Sequence, residues 1–166
     1  MKIGLLSDTH GYLDESIFYH FDQCDEIWHA GDIGTIELAE RLSEFKPFRA
    51  VWGNIDGQKL RITYPENDRF EVEGLKVWMT HIGGAPPKYN RQVIGELRSN
   101  PPDIFICGHS HILKVMNDKN MCNMLYLNPG AAGRQGFHHV KTLLRFEINN
   151  AKVSNMQVIE LGKRGK

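Results

Sequence analysis

An α/β fold with two mixed β-sheets packed face to face and helices on the outside is what the sequence predicts. Three observations carry that prediction. The first half of the chain alternates short apolar runs with stretches of helical spacing, the β-α-β-α order that builds a parallel sheet. Past Leu113 the chain reads as β-rich, with turn residues between the strands. Five polar motifs each follow directly on an apolar run, as residues at strand tips do.

The elements follow in order. Ile3-Gly4-Leu5-Leu6 is an apolar run that stops at Ser7-Asp8, as a buried strand does where it enters a loop. Leu13, Ile17, Phe18 and Phe21 share one face at helical spacing, with Asp14 and Glu15 in the first turn, which predicts a helix over 13–21. Residues 26–30 give a strand ending at Gly31-Asp32. Ile36, Ala39 and Leu42 mark a second helix, capped by Thr35. Residues 48–52 form a third strand ending at Gly53-Asn54. In an open α/β sheet these three tips lie on one edge, where ligands bind. Residues 69–73 and 76–80 flank Gly74 as a hairpin whose second strand delivers His81. Pro86-Pro87 closes the next loop, and a helix around 89–99 carries Val93, Ile94 and Leu97. Residues 104–107 make a buried strand ending at Gly108-His109. Strands near 113–117, 123–127, 141–148 and 153–159 complete the pattern. Trp28, Trp52 and Trp78 fall in strand patterns and are assigned to the core, as is His29.

Residues 1–166 suit a single domain. The hydrophobic fraction of 41% and charged fraction of 24% are those of a soluble globular protein, and the formal net charge of zero supplies no long-range field. Nucleic acid and membrane are therefore not expected partners, and any attraction for phosphate must be local. No stretch approaches the roughly 18 apolar residues of a membrane helix. Cys24, Cys107 and Cys122 are odd in number and lack Cys-x-x-Cys spacing, so they read as reduced, mostly buried thiols and the protein as cytoplasmic. Lys163-Arg164-Gly165-Lys166 is too short for a binding arm and reads as a frayed terminus.

The motifs are Asp8-Thr9-His10, Gly31-Asp32, Gly53-Asn54, His81 and Gly108-His109-Ser110-His111. They supply seven candidate metal ligands: Asp8, His10, Asp32, Asn54, His81, His109 and His111. A set of carboxylate, imidazole and amide without thiolate suits catalytic divalent ions better than a structural zinc. Asp8 and His10, like His109 and His111, are two apart, so in extended backbone each pair projects to one side. Gly31, Gly53 and Gly108 permit tight turns and close approach of an ion or substrate. Seven ligands exceed the needs of one metal. Two metals about 3.5 to 4 Å apart, bridged by a carboxylate, would use the set and form a clamp for in-line displacement at phosphorus.

In this order the motifs resemble the signature of the calcineurin-like metallophosphoesterase family, over about residues 1 to 133. Size and the Asn128-Pro129-Gly130 turn resemble its compact bacterial and archaeal phosphodiesterase branch. The resemblance implies a four-layer sandwich and a phosphodiesterase acting on a small phosphodiester through a metal-bridging hydroxide, with monoesters and cyclic nucleotides as variant substrates. It implies that Asp8, His10, Asp32 and His111 hold one metal and Asp32, Asn54, His81 and His109 the other, with Asp32 as the bridge and Asp32, Asn54 and His109 as catalytic groups. Manganese is the first choice of metal, and iron, zinc, cobalt and nickel also suit the set.

The chain departs from larger family members at one place. They carry a histidine after Gly-Asn as the acid for the leaving oxygen, whereas this chain reads Gly53-Asn54-Ile55-Asp56. Asp56 is considered as a substitute acid or substrate contact, set against a carboxylate that is solvated or orients Asn54. Arg134, in the Gly-rich loop that also holds His138 and His139, is a candidate contact to a phosphate oxygen. The other functional class considered is a protein-interaction scaffold that keeps the phosphoesterase fold with little or no catalysis, as the family's retromer subunit does. A nuclease is weaker, given the neutral charge and the lack of a basic-aromatic stripe. Self-association into a homo-oligomer is left open.

Overall fold

The computed structural model describes residues 1–165. Three parallel strands, β1 (Lys2–Leu6), β2 (Glu26–His29) and β3 (Phe48–Ala50), make up three of the five strands of one mixed sheet. β11 (Val140–Asn149) pairs antiparallel with β1, and β12 (Lys152–Lys163) with β11. In the second mixed sheet β5 (Leu75–Thr80), β8 (Ile104–Ile106) and β10 (Met124–Asn128) run parallel. Its edges are the antiparallel strands β4 (Asn67–Val72) and β9 (Lys114–Asp118).

Alternation along each strand decides the layers. Ile3 and Leu5 of β1 and Trp28 of β2 face the second sheet, where they meet Val77, Ile104 and Leu127. Leu6 and Ile27 point the other way, onto α1 (Ser16–Phe21), α2 (Ile36–Phe45) and α3 (Gln58–Thr63). On the far side of the second sheet, Trp78 and Phe105 pack on Val93 and Leu97 of α4 (Arg91–Ser99). The result is helix, sheet, sheet, helix. Strands buried on both faces must be apolar throughout, which is why β1 reads as an unbroken hydrophobic run.

Most predicted elements appear within a residue or two, and the Thr35 hydroxyl does accept the Leu38 N–H. The helix predicted over 13–21 starts only at Ser16, because Asp14 accepts the Ser16 N–H and hydroxyl and the Lys141 ammonium, holding residues before it in a loop. The third strand stops at Ala50, and Trp52 is half-buried under Arg61 instead of lying in the core. α3 and a small hairpin, β6 (Gly84–Ala85) with β7 (Lys88–Tyr89), were not predicted. The basic end is ordered through Arg164, whose N–H bonds the His139 carbonyl, so the expected fraying is corrected up to that residue. Lys166 lies outside the described residues. Among the described residues no helix is long and apolar enough to cross a membrane.

Candidate metal centre

The carboxyl ends of β1, β2 and β3 meet those of β5 and β8 at one edge of the two sheets, and the seven candidate ligands sit in the loops just beyond. Backbone hydrogen bonds stitch the tips together: Asp8 N–H to Gly31 O, His10 N–H to Asp32 O, and Gly108 N–H to His81 O. Asp8, His10, Asp32, His109 and His111 all have positive φ, between 48° and 66°. Such backbone is unfavourable for residues with a Cβ and persists only where surrounding bonds enforce it. The Asp-x-His and His-x-His pairs therefore converge through left-handed turns, and the extended backbone expected for them is corrected.

Two triads result. Asp8, His10 and His111 each bring a ligand atom within 4.8 Å of the others, and so do Asp32, His81 and His109. Asp8 Oδ1 lies 3.1 Å from His111 Nε2 and 3.9 Å from His10 Nε2 and His81 Nε2. Asp32 Oδ2 lies 3.1 Å from His81 Nε2 and 3.7 Å from His10 Nε2, so this oxygen stands between the triads. The other oxygen of each carboxylate is held back by a backbone N–H, from His109 to Asp8 and from Ile55 to Asp32. Asn54, seventh of the set, is exposed and borders a cavity with His81.

The donor set fits metal ions. His81 Nδ1 meets the Ala30 carbonyl at 2.7 Å, and a carbonyl can only accept, so the proton sits on Nδ1. That leaves the Nε2 lone pair facing two carboxylates. Asp8 Oδ1 and His81 Nε2 are both buried without a hydrogen-bond partner. The buried His81 Nε2 lone pair, 3.1 Å from Asp32 Oδ2 and 3.9 Å from Asp8 Oδ1, is repelled by both carboxylates, which is costly unless a cation lies among them. Ligands roughly 2.1 Å from a common ion stand about 3.0 to 3.4 Å apart, close to the shorter of these separations. Without an ion, a proton answers the same field. Burial pushes His81 down, but Asp32, Asp8 and the Ala30 carbonyl outweigh it and hold its pKa above the ordinary value. Burial likewise raises Asp32, and His81 together with the Ile55 N–H brings it below the usual carboxylate range.

The glycines before the ligands serve the ligands themselves. A Cβ on Gly53 would overlap the Asp32 carboxylate, and one on Gly31 would meet the His81 ring at 2.7 to 2.8 Å. Both positions let a metal-facing side chain press against bare backbone; what approaches them is a ligand side chain, not the ion or substrate anticipated.

A match to the model of the calcineurin-like phosphoesterase superfamily domain covers residues 1–151. The chain belongs to that superfamily. A probable metallophosphoesterase of Methanothermobacter thermautotrophicus is 31% identical over 139 residues, covering 79% of this chain and 77% of its own. A protein named phosphodiesterase from Methanocaldococcus jannaschii is 26% identical over 149 residues, 78% of this chain and 83% of that one. Among solved structures, an archaeal phosphodiesterase superposes with a TM-score of 0.77 at 21% identity, over 97% of this chain and all of the other.

Residues that the motifs did not flag hold the candidate ligands in place. Asp56 is 2% exposed, and its carboxylate accepts the N–H groups of Ile33, Gly34 and Gly53 at 2.7 to 3.1 Å. Those bonds tie the Asp32 loop to the Asn54 loop, so Asp56 is a loop anchor. Arg61 clasps the same loop from outside, donating to the carbonyls of Asp56 at 2.6 Å and Asn54 at 3.1 Å. Asn128 donates to Gly108 O and Ser110 Oγ, bracing the last motif. Arg134 stacks on Tyr12 at 4.0 Å and donates to its hydroxyl at 3.0 Å. The His138 ring lies 5.3 Å from that of His111, while His139 is exposed.

His29 is fully buried beneath the centre, accepting the Gly31 N–H and pairing with the Thr9 hydroxyl. Burial pushes its pKa down to about 3, Asp8 only partly opposing. A folded pKa below the unfolded value of about 6.5 means that its contribution is complete above pH 6.5 and is lost as pH falls toward 3. Between pH 7 and 5 the loss is about 2 kcal/mol, or roughly 4 to 8 °C in Tm. Thermal unfolding of metal-stripped protein should show this fall, and His29→Gln should flatten it by about that amount. An equal fall in both proteins would remove His29 as the cause.

Proposed function

We propose that this protein is a phosphodiesterase that hydrolyses a small phosphodiester at a site for two divalent metal ions. The observation that carries the proposal is Asp32 Oδ2, which lies 3.1 Å from His81 Nε2 in its own triad and 3.7 Å from His10 Nε2 in the other. Asp8, His10, Asp32 and His111 would hold one ion and Asp32, Asn54, His81 and His109 the other. Two such ions supply Lewis acidity for phosphoryl oxygens and lower the pKa of water so that it attacks at neutral pH. The chain's own contribution is placement: left-handed turns aim the ligands, and buried partners hold the idle oxygens of Asp8 and Asp32. The name of the M. jannaschii relative supports the diester, and zero net charge favours a small substrate over nucleic acid. A scaffold would gain nothing from a buried cluster of unpaired lone pairs, so the catalytic reading is preferred.

Ile55, 45% exposed, stands where an acid would serve the leaving oxygen, and Asp56 is committed to the loop. A general acid contributes about 10² to 10⁴-fold. A nitrophenyl diester should therefore be cleaved faster than an alkyl diester by at least that range beyond their intrinsic difference. Equal rates for the two would show that another acid serves.

The test is hydrolysis of a nitrophenyl phosphodiester and the matching monoester by metal-stripped protein reloaded with manganese. Diester turnover that requires the metal and exceeds monoester turnover is expected. No turnover with two metals bound would return the scaffold reading.

A further inference from the structure

A cavity of about 420 Å³ opens directly beside the metal centre, bordered by Asn54 and His81 on one side and running between β4, α3 and α4. Its size lies within the range of small-molecule sites. Two of its walls are built alike: Arg61 lies over Trp52 at 4.2 Å and Arg69 over Trp78 at 3.7 Å. A guanidinium stacked on an indole is a flat, delocalised and weakly hydrated surface, on which another planar group can stack.

The cavity's charge selects against a second anion. Glu66 and Glu96 line it with the two arginines, and Glu96 pairs with Arg69 at 2.7 Å, so the charges cancel. Arg61 is also engaged by loop carbonyls. What remains for a ligand is amide chemistry. Trp78 Nε1 donates to Asn67 Oδ1 at 3.0 Å, leaving the Asn67 amino group without a partner among the described residues, and the Gln92 amide lacks one too. The walls thus offer flat faces, and the rim offers uncharged donors and acceptors, all next to the proposed metal ligands.

We infer that this cavity binds the nucleobase of a nucleoside phosphodiester whose phosphate lies at the metal centre. The inference rests on the phosphodiesterase reading and names its substrate class. A neutral planar heterocycle with donor and acceptor edges satisfies every wall, whereas a phosphate, a carboxylate or a flexible alkyl chain does not. Stacking of a base on such surfaces is worth roughly ten- to hundredfold in binding.

The test compares thymidine 5′-nitrophenyl phosphate with methyl nitrophenyl phosphate, which share a leaving group and differ only in the other ester. The nucleoside ester should show a kcat/KM about ten- to hundredfold higher. In Gln92→Trp, which fills the cavity from the exposed start of α4, the ratio of the two should fall to about 1. A ratio near 1 in the unaltered protein, or one that survives the substitution, overturns the inference while leaving diester hydrolysis standing. A separate arm titrates thymidine into metal-stripped protein by ligand-observed magnetic resonance. Saturable binding lost in Gln92→Trp supports the pocket even if neither ester is hydrolysed, and absence of binding overturns it.

Discussion

Asp32→Asn should cut metal-dependent diester hydrolysis by at least about 10³-fold while leaving the far-ultraviolet circular dichroism unchanged. Removing one charge-stabilising donor from an active site costs about 10² to 10³-fold, and in the proposed site Asp32 would serve both triads. Asn could still accept the Ile55 N–H through its oxygen, as Asp32 Oδ1 does at 3.0 Å. Its amino group would then replace Oδ2, presenting N–H donors to His81 and His10 where a shared anionic ligand stood. Metal content should fall with activity. Activity within about tenfold of the parent would show that Asp32 is not shared and that one ion suffices.

Asp56→Ala is the substitution expected to cost most in stability. It leaves the N–H groups of Ile33, Gly34 and Gly53 without their acceptor in a place that solvent barely reaches. Each orphaned N–H costs about 1 to 3 kcal/mol, and with partial relaxation the sum is about 3 to 5 kcal/mol. At roughly 2 to 4 °C per kcal/mol for a chain this long, the Tm of metal-stripped protein should drop by about 10 °C. Activity should fall further than stability explains, by about 10- to 100-fold, because Asn54 and the Ile55 N–H ride on the same loop. A Tm within about 3 °C of the parent would mean that water replaces the carboxylate and that Asp56 anchors nothing.

The parts of the fold that were legible in the sequence are those set by local pattern. Unbroken apolar runs marked β1 and β8, and Thr35 marked the start of α2. The Gly-polar pairs marked strand tips. What was not legible depends on partners distant in sequence. Asp8 and His10 adopt left-handed backbone because their N–H groups reach Gly31 and Asp32, and no spacing within Asp-x-His encodes that. Asp56 reads as one more loop acid until the chain brings Ile33 and Gly34 against it. α3 buries Leu60 alone, too little for a helical stripe to stand out. The two-residue strands β6 and β7 lie below the length at which alternation exists. Trp52 was misplaced because a strand pattern does not reveal that the strand ends at Ala50, two residues before it.

Anomalous diffraction from crystals grown with manganese tests the central claim most directly. Two peaks should appear about 3.5 to 4 Å apart, one against Asp8, His10 and His111 and the other against Asn54, His81 and His109, with Asp32 touching both. A single peak, or manganese bound elsewhere while these side chains keep their present positions, would contradict a dinuclear site.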